Sequence, residues 1–200
     1  MKIIGITGGI ATGKTTICNF LEKQKFPLHD SDRVVKNIYT KAPRTLLVTL
    51  NKIGLSHSFK NKTINKNIIR DEIFKNKTKK KTLEKYFHNE VRKSREKFIK
   101  KHKAKKTKAV ILDIPLLFEA RLSNVCDYII LLYTPQKTKI KRAIKRKAMS
   151  KKMVLKILKS QLSDAYKRKR SHYVINTTKT KKHSFKTVLR IINDIIYTDA

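Results

Sequence analysis

Glycine, proline, cysteine and acidic residues are all scarce in this sequence. Its 200 residues include five glycines, four prolines, two cysteines, fourteen Asp or Glu and no tryptophan. Cys18 and Cys126 lack CxxC spacing, so we expect two separate reduced thiols and no disulfide. Apolar runs such as residues 128–133 are too short to cross a bilayer as helices. The first residues lack the pattern of a signal peptide, so we expect a cytoplasmic chain without membrane spans.

Basic residues, in contrast, are abundant, and 50 Lys or Arg give a formal net charge of +36. Two interpretations are a nucleic-acid-binding surface and drift towards lysine under a biased base composition. The basic residues are spread from Lys2 to Arg190, and few aromatic residues alternate with them to form a stacking platform. We therefore favour drift and expect no specific nucleic-acid partner, although the positive field should attract polyanionic ligands at low salt.

Short apolar runs alternate with helical patterns, and this alternation predicts an α/β fold. The predicted strands are residues 2–7, 26–28, 109–113, 128–133 and 173–175. Between about residues 43 and 106 the sequence becomes polar, lysine-rich and helical, which predicts an inserted helical lobe. The core is then expected to comprise about residues 1–42 and 107–200 of a single domain.

A glycine-rich motif, GGIATGKT at Gly8–Thr15, separates the first predicted strand from the first predicted helix. Backbone N–H groups of such a loop, with the positive end of the helix, cradle the phosphates of ATP. Lys14 is expected to hold the β- and γ-phosphate oxygens, and Thr15 to ligate Mg²⁺. A simple glycine turn is the alternative, but four of the five glycines lie in or beside this segment. The predicted phosphate-binding residues here are Gly8, Gly9, Ile10, Ala11, Thr12, Gly13, Lys14, Thr15 and Thr16.

Two carboxylates, Asp30 and Asp32, follow the second predicted strand, at the sheet edge where α/β proteins place ligands. In a P-loop kinase that edge lies near the transferred phosphate. Asp32 is therefore predicted to orient and deprotonate the acceptor hydroxyl, and Asp30 to contact Mg²⁺ through water. Capping of the next helix by Asp30 or Ser31 is the alternative, and it is compatible with catalysis.

Two further carboxylates, Asp113 and Glu119, flank the segment DIPLLFE after the third apolar run. Asp113 ends a strand, as a metal-side acid of a P-loop protein does, and either carboxylate fits a role beside the metal or the acceptor. The alternatives are that Asp113 caps a helix beginning at Pro115 and that Glu119 is a solvated helix residue.

A lid is predicted at about residues 142–162, where Arg142 and Arg146 share one helix face. Such a pair can close two guanidinium groups over phosphates, and Arg142 is assigned a catalytic role there. A solvated basic face is the alternative. In the helical lobe, His88 is a candidate acceptor contact, although a lone histidine on a helix is more often packed or solvated.

These motifs together resemble the dephospho-coenzyme A kinase family over nearly the whole chain. The family pattern T-G-G-I-x-[ST]-G-K-[ST] is matched by Thr7–Thr15, and its D-x-D by Asp30 and Asp32. The heptapeptide D-I-P-L-L-[FY]-E, matched by residues 113–119, distinguishes this family from shikimate, gluconate and nucleoside monophosphate kinases. Many relatives have glycine where this chain has Ala11 in the loop, proline where it has Asn89 after His88, and a glycine after the last predicted strand that this chain lacks.

The resemblance implies a P-loop NTPase fold, a three-layer α/β/α parallel sheet with an inserted helical acceptor-binding lobe and a helical lid. It also implies transfer of the γ-phosphoryl group of Mg·ATP to the ribose 3′-hydroxyl of dephospho-coenzyme A, the last step of coenzyme A synthesis. We expect a monomer. The implied acceptor-binding residues are Asp32, His88, Asp113, Leu117 and Glu119, and the implied adenine contacts are Asn176 and Thr177. A kinase for another small acceptor, a nucleic-acid-binding protein with a vestigial loop, and a degraded enzyme are the alternatives.

Overall fold

The structure, a computed structural model, describes residues 1–145 and 149–197. The strands in chain order are β1 (Lys2–Thr7), β2 (Leu28–Asp30), β3 (Phe59–Lys60), β4 (Thr63–Ile64), β5 (Ala109–Asp113), β6 (Tyr128–Tyr133) and β7 (Tyr173–Asn176). The helices are α1 (Lys14–Lys23), α2 (Ser31–Lys41), α3 (Arg44–Lys52), α4 (Lys66–Lys75), α5 (Lys77–Ala104), α6 (Gln136–Lys145), α7 (Lys151–Ser160), α8 (Asp164–Lys169) and α9 (Lys181–Tyr197). None of these described helices is both long and apolar enough to cross a membrane.

The chain forms two compact units, which we call the sheet unit (Met1–His29 and His102–Ala200) and the helical unit (Asp30–Lys101). The helical unit therefore begins before α2, whereas the sequence pattern placed its start near residue 43. The sequence did not indicate this earlier boundary, because the lysine-rich composition begins later in the chain than the residues that pack in the helical unit.

The sheet unit is built on a five-stranded sheet with the order β2-β5-β1-β6-β7. Strand β1 pairs in parallel with β5 and β6, and β6 pairs in parallel with β7. All five residues of β5 and the four central residues of β6 are buried, as expected of strands covered on both faces. This parallel α/β sheet confirms the predicted fold class. The carboxyl ends of its strands meet at one edge, which positions the loops described below.

The core of the sheet unit joins the sheet to α1 and α9. Aromatic packing fixes these two helices against each other, because the rings of Phe20 and Phe185 stack with centroids 4.1 Å apart. The buried residues of this core are Ile4, Ile6, Ile17, Cys18, Leu21, Ala109, Ile111, Ile130, Leu132, Ile175, Val188, Ile191, Ile192 and Ile195. The helix that begins at Lys14 is therefore held at a fixed angle to β1.

The helical unit packs its helices and the β3–β4 hairpin around a smaller core. Its buried residues are Leu46, Leu50, Leu55, Ile69 and Leu83. Tyr39 and Phe87 pack beside this cluster with ring centroids 4.9 Å apart. Tyr39 and Tyr86 lie partly buried beside this cluster, and burial raises the pKa of both phenols.

Candidate nucleotide-binding site

The loop between β1 and α1 requires glycine for steric reasons. A Cβ atom on Gly8 would lie 2.8 Å from the carbonyl oxygen of Leu132 and 2.6 Å from Oγ1 of Thr12. Gly13 directly precedes α1 with a φ of 88°, in the left-handed region that favours glycine. Both positions therefore allow the backbone to turn tightly before the helix.

Ala11 is also left-handed, with a φ of 58°, which costs energy for a residue with a Cβ atom. Its methyl group is buried with Ala143 of α6 and Val154 of α7. This contact offsets part of the backbone cost, so the alanine in place of a glycine is accommodated by local packing.

The ammonium group of Lys14 forms an ion pair with Asp113 at the end of β5. The distance from Nζ to Oδ1 is 2.5 Å, and Asp113 is 3% exposed. The helix start and the strand end are thus joined through two charges in a poorly solvated place, where electrostatic interactions are strong. The structure therefore brings together two residues that the sequence singled out separately.

The donor set beside this pair suits magnesium. Thr15 supplies an exposed hydroxyl at the start of α1, and Asp113 supplies a carboxylate. Within the described ranges no group of three or more His, Cys, Asp or Glu residues could hold a metal ion. Mg²⁺ typically takes one or two protein ligands together with substrate phosphates and water, so these residues fit it without such a group.

A cavity of about 480 Å³ opens beside the loop. Its volume is typical of small-molecule sites. Its lining residues come from the loop, α1, α6, the segment after β7 and α9, and they are Ala11, Gly13, Thr16, Ile17, Arg142, Lys145, Thr177, Lys179, Lys181, Ser184 and Phe185. Sequence reasoning missed Ile17, Lys145, Lys179, Lys181, Ser184 and Phe185. Four of them, Lys179, Lys181, Ser184 and Phe185, follow the last strand, and their place after the carboxyl end of that strand was the available signal.

Arg142 lies in the wall of this cavity and is held there by Thr177. Its Nη2 donates to the Thr177 carbonyl oxygen at 2.7 Å, and its Nη1 donates to Oγ1 at 3.2 Å. The Thr177 hydroxyl in turn donates to the Thr12 carbonyl oxygen at 2.8 Å. These bonds connect α6, the segment after β7 and the glycine-rich loop. Arg146 lies outside the described residues.

The neighbouring Asn176 has a local role. Its side-chain oxygen accepts hydrogen bonds from the backbone N–H and the hydroxyl of Thr178. Asn176 does not line the cavity, whereas Thr177 does. The two residues expected to contact adenine therefore differ, and their adenine contacts stay predictions.

The first acidic pair lies at the start of α2. Asp30 caps that helix, because its Oδ1 accepts the N–H of Arg33 at 2.8 Å. The capping alternative for Asp30 is thus confirmed. Asp32 occupies the first helical turn and is exposed, so its carboxylate is accessible. His88 is exposed on α5 in the same unit.

The segment from Asp113 to Glu119 does not form a helix after Pro115, but a series of turns. Leu117 within it is fully buried, and an added Cβ on Gly5 would lie 2.9 Å from its Cδ1. Its side chain therefore has no exposed surface to offer an acceptor, unlike the implied role. The family motif suggested that Leu117 contacts the acceptor, whereas in the structure its side chain packs against β1.

Glu119 is not a solvated helix residue, because it pairs with a lysine that sequence reasoning missed. Its Oε1 lies 2.7 Å from Nζ of Lys167, which is 1% exposed. A similar pair joins Lys139 to Asp164 at 2.6 Å. The residues in each pair lie too far apart in sequence for a local pattern to indicate them.

Comparison with known proteins gives a consistent result. The model of the family described as dephospho-CoA kinase matches residues 2–182. The dephospho-CoA kinase of Fusobacterium nucleatum is 33% identical over 98% of this chain and 99% of its own length, and that of Bartonella henselae is 32% identical over the same shares. Among solved structures, a Thermus thermophilus protein has a TM-score of 0.79 at 24% identity, covering 96% of each chain. The dephospho-CoA kinase from Campylobacter jejuni has a TM-score of 0.75 at 25% identity, covering 99% of this chain and 98% of its own.

Proposed function

The chain belongs to the dephospho-CoA kinase family, and we propose that its glycine-rich loop, Lys14 and Asp32 carry out that family's reaction. The enzyme transfers the γ-phosphoryl group of ATP to the 3′-hydroxyl of dephospho-CoA and releases ADP and CoA, the final step of CoA biosynthesis. The observation that carries this proposal is the complete phosphate-binding loop, with Lys14 beside Asp113 and a cavity of about 480 Å³ next to it.

The loop and Lys14 bind the triphosphate. Backbone N–H groups of Gly9 and of residues 11–16, with the positive end of α1, supply partial charges, and the Lys14 ammonium supplies a full one. When ATP is bound, the Lys14 ammonium exchanges part of its contact with Asp113 for phosphate oxygens. Thr15, and Asp30 through water, would hold Mg²⁺, and the ion would neutralise phosphate charge.

The nucleoside of ATP occupies the cavity beside the loop. Phe185 is fixed there by its stack on Phe20 and offers an apolar wall, while Thr177 offers polar groups at the other side. Arg142 lines the same cavity, close enough to the loop to contact phosphates after a change of side-chain conformation. Asn176 contributes to adenine binding through the turn that it stabilises.

The acceptor chemistry centres on carboxylates. Asp32 accepts the proton of the 3′-hydroxyl as the oxygen attacks the γ-phosphorus and ADP leaves. Asp113 and His88 bind the acceptor. Because phosphoryl transfer needs little covalent help, alignment and charge neutralisation provide most of the acceleration.

The role of Asp32 is tested by Asp32→Asn, which keeps the shape but removes the base. We expect kcat to fall about 10²- to 10³-fold, in the range for general base catalysis. The ATP dissociation constant, measured by calorimetry, should change little. Asp71→Asn is the matched control, since Asp71 is an exposed carboxylate on α4 paired with Arg70. Turnover of Asp32→Asn within threefold of wild type would show that Asp32 is not the base.

The acceptor is tested with a panel of hydroxyl compounds, using ADP release as the readout. Dephospho-CoA should give the highest kcat/KM, above shikimate, gluconate and nucleoside monophosphates. A higher value for any of these would overturn the assignment.

We further propose that the enzyme acts in the cytoplasm as a monomer and has no specific nucleic-acid partner. Light scattering of the protein as it elutes from a size-exclusion column would measure its molar mass and so test whether it is a monomer.

A further inference from the structure

The carboxylate of Glu119 is held by the segment that follows α7. Its Oε1 lies 2.7 Å from Nζ of Lys167, and it also accepts the backbone N–H of Leu162 at 3.1 Å. Lys167 is almost completely buried, so this ion pair is shielded from water. Removing one partner of such a pair leaves an uncompensated buried charge, which is strongly unfavourable.

A second buried ammonium fixes the same segment. Nζ of Lys139 on α6 lies 2.6 and 2.7 Å from the two carboxylate oxygens of Asp164, and Lys139 is 3% exposed. Residues 161–167, which we call the arm, are therefore anchored at Asp164 and again at Lys167. Buried ion pairs contribute little net stability, but they fix position, because few geometries satisfy them.

The arm contacts the phosphate-binding loop through Gln161. Its Oε1 lies 3.4 Å from the backbone nitrogen of Ile10, which donates to it. The same oxygen would lie 3.0 Å from a Cβ atom on Gly9, and Nζ of Lys139 would lie 3.5 Å from it. Glycine at this position therefore gives the arm room to approach the loop backbone.

These contacts close a ring within the sheet unit. The loop is joined through Lys14 to Asp113, and the segment from Asp113 leads to Glu119. Glu119 holds the arm, and Gln161 of the arm returns to the loop at Ile10. Asp113, at one end of the heptapeptide, therefore contacts the loop directly, and Glu119, at the other end, contacts it through the arm.

We propose that Glu119 and Lys167 are positioning residues, which hold Gln161 against Ile10 so that the loop is oriented for the phosphates before ATP arrives. The inference rests on the proposed ATP-dependent function. It assigns Glu119 to the nucleotide side of the reaction and not to the acceptor. The hydrogen bond from Ile10 is long and weak alone, so its effect depends on the rigidity that the two ion pairs give to the arm.

The test is Lys167→Met, which leaves the Glu119 carboxylate buried without its cation. We expect the dissociation constant and the KM for ATP to rise about tenfold, the effect of losing one charge-assisted hydrogen bond. The KM for dephospho-CoA should stay within about twofold. Glu119→Gln should also weaken ATP binding, because it leaves the buried Lys167 ammonium without a carboxylate, although its amide oxygen can still accept from Leu162. The double variant Glu119→Gln/Lys167→Met removes the lone charge and should bind ATP more tightly than Lys167→Met does.

Gln161→Met decides the proposal if Lys167→Met does not fold, because it keeps both ion pairs and removes only the contact to Ile10. It should raise the dissociation constant for ATP about threefold to tenfold. Because this constant is measured without acceptor, the result does not depend on which acceptor is used. Wild-type protein that does not bind ATP would overturn the proposed function itself, whereas normal ATP binding by Gln161→Met would overturn only the positioning role.

The matched control is Lys79→Met. Lys79 also lies 2.7 Å from a glutamate, Glu72, but in the helical unit, and its hydrogen bond holds the pKa of that carboxyl below its ordinary value. Loss of this pair should leave ATP binding unchanged. If Glu119→Gln instead raised the KM for dephospho-CoA and left ATP binding unaltered, Glu119 would be an acceptor contact and the inference would be wrong.

Discussion

In the sheet unit, buried lysines pair with carboxylates from distant parts of the chain, whereas several ion pairs of the helical unit join neighbouring turns of the helix α5. Lys139 and Lys167 are buried in the sheet unit. In contrast, Arg92–Glu96 and Lys93–Glu90 link exposed or half-buried side chains along α5. Exposed pairs of this kind contribute little free energy. Lysine residues therefore fix tertiary contacts in the sheet unit, whereas in the helical unit most of them lie on helix surfaces exposed to solvent.

The apolar core of the sheet unit is also more extensively buried than that of the helical unit. Strand β5 is buried along its entire length, and β6 along its centre, so the sheet is fixed on both faces. The helical unit has a cluster of five buried residues, while most of the long helix α5 faces solvent. Side-chain positions are therefore fixed most closely in the sheet unit, which contains the glycine-rich loop.

The largest expected effect comes from Lys14→Met, which tests whether the buried ion pairs of the sheet unit serve the reaction. The variant removes a full positive charge from the phosphates and the ammonium partner of Asp113. We expect kcat/KM to fall about 10³-fold, because electrostatic stabilisation dominates phosphoryl transfer.

Steady-state ADP release measures this effect. Lys93→Met on α5 is the control, since it removes an exposed lysine and should leave kcat/KM nearly unchanged. Equal losses in both variants would mean that overall charge, and not the geometry of the sheet unit, controls turnover.

A smaller effect is expected from Leu50→Ala, which tests whether the core of the helical unit is a separate source of stability. Leu50 is fully buried in that core. Its truncation should cost about 2–5 kcal/mol, as for other large-to-small core substitutions. Hydrogen exchange should show loss of protection in residues 30–101 and retained protection in β1, β5 and β6.

The control for this variant is Val48→Ala on the same helix, because Val48 is exposed and should cost about 0.5 kcal/mol or less. Uniform loss of protection along the whole chain in Leu50→Ala would show that the two units unfold as one and would break the comparison.

The smallest effect is expected from Thr134→Val in the sheet unit. Thr134 is 0% exposed, and its hydroxyl has no hydrogen-bond partner among the described residues. Valine has the same shape without the unsatisfied hydroxyl, so stability should rise by about 1 kcal/mol in urea denaturation. Thr7→Val should do the reverse, because the buried Thr7 hydroxyl donates to the Pro115 carbonyl oxygen at 3.1 Å. Equal changes in both variants would show that the hydrogen-bond partner makes no difference.

Local sequence was sufficient to predict a strand where a single segment contains the complete apolar pattern. The apolar runs at residues 109–113 and 128–133 predicted β5 and β6 at their observed bounds. The second strand was predicted at residues 26–28 but lies at Leu28–Asp30, because its partner β5, and not its own short run, sets its limits. Pro115 favoured a helix, yet the residues after it form turns that bury Leu117.

The sequence by itself determined the glycine-rich loop, because its spacing, its lysine and its place between strand and helix are all local features. It also determined the family, since the motifs occur in a fixed order along the chain. Only the tertiary structure decided which charges meet. The partners of Glu119 and Lys139 lie far along the chain, on elements that no pattern orients in advance. Which charges pair depends on how the elements pack in three dimensions, and not on the distance between residues along the sequence. The abundance of lysine therefore could not show which few lysine residues are buried and paired.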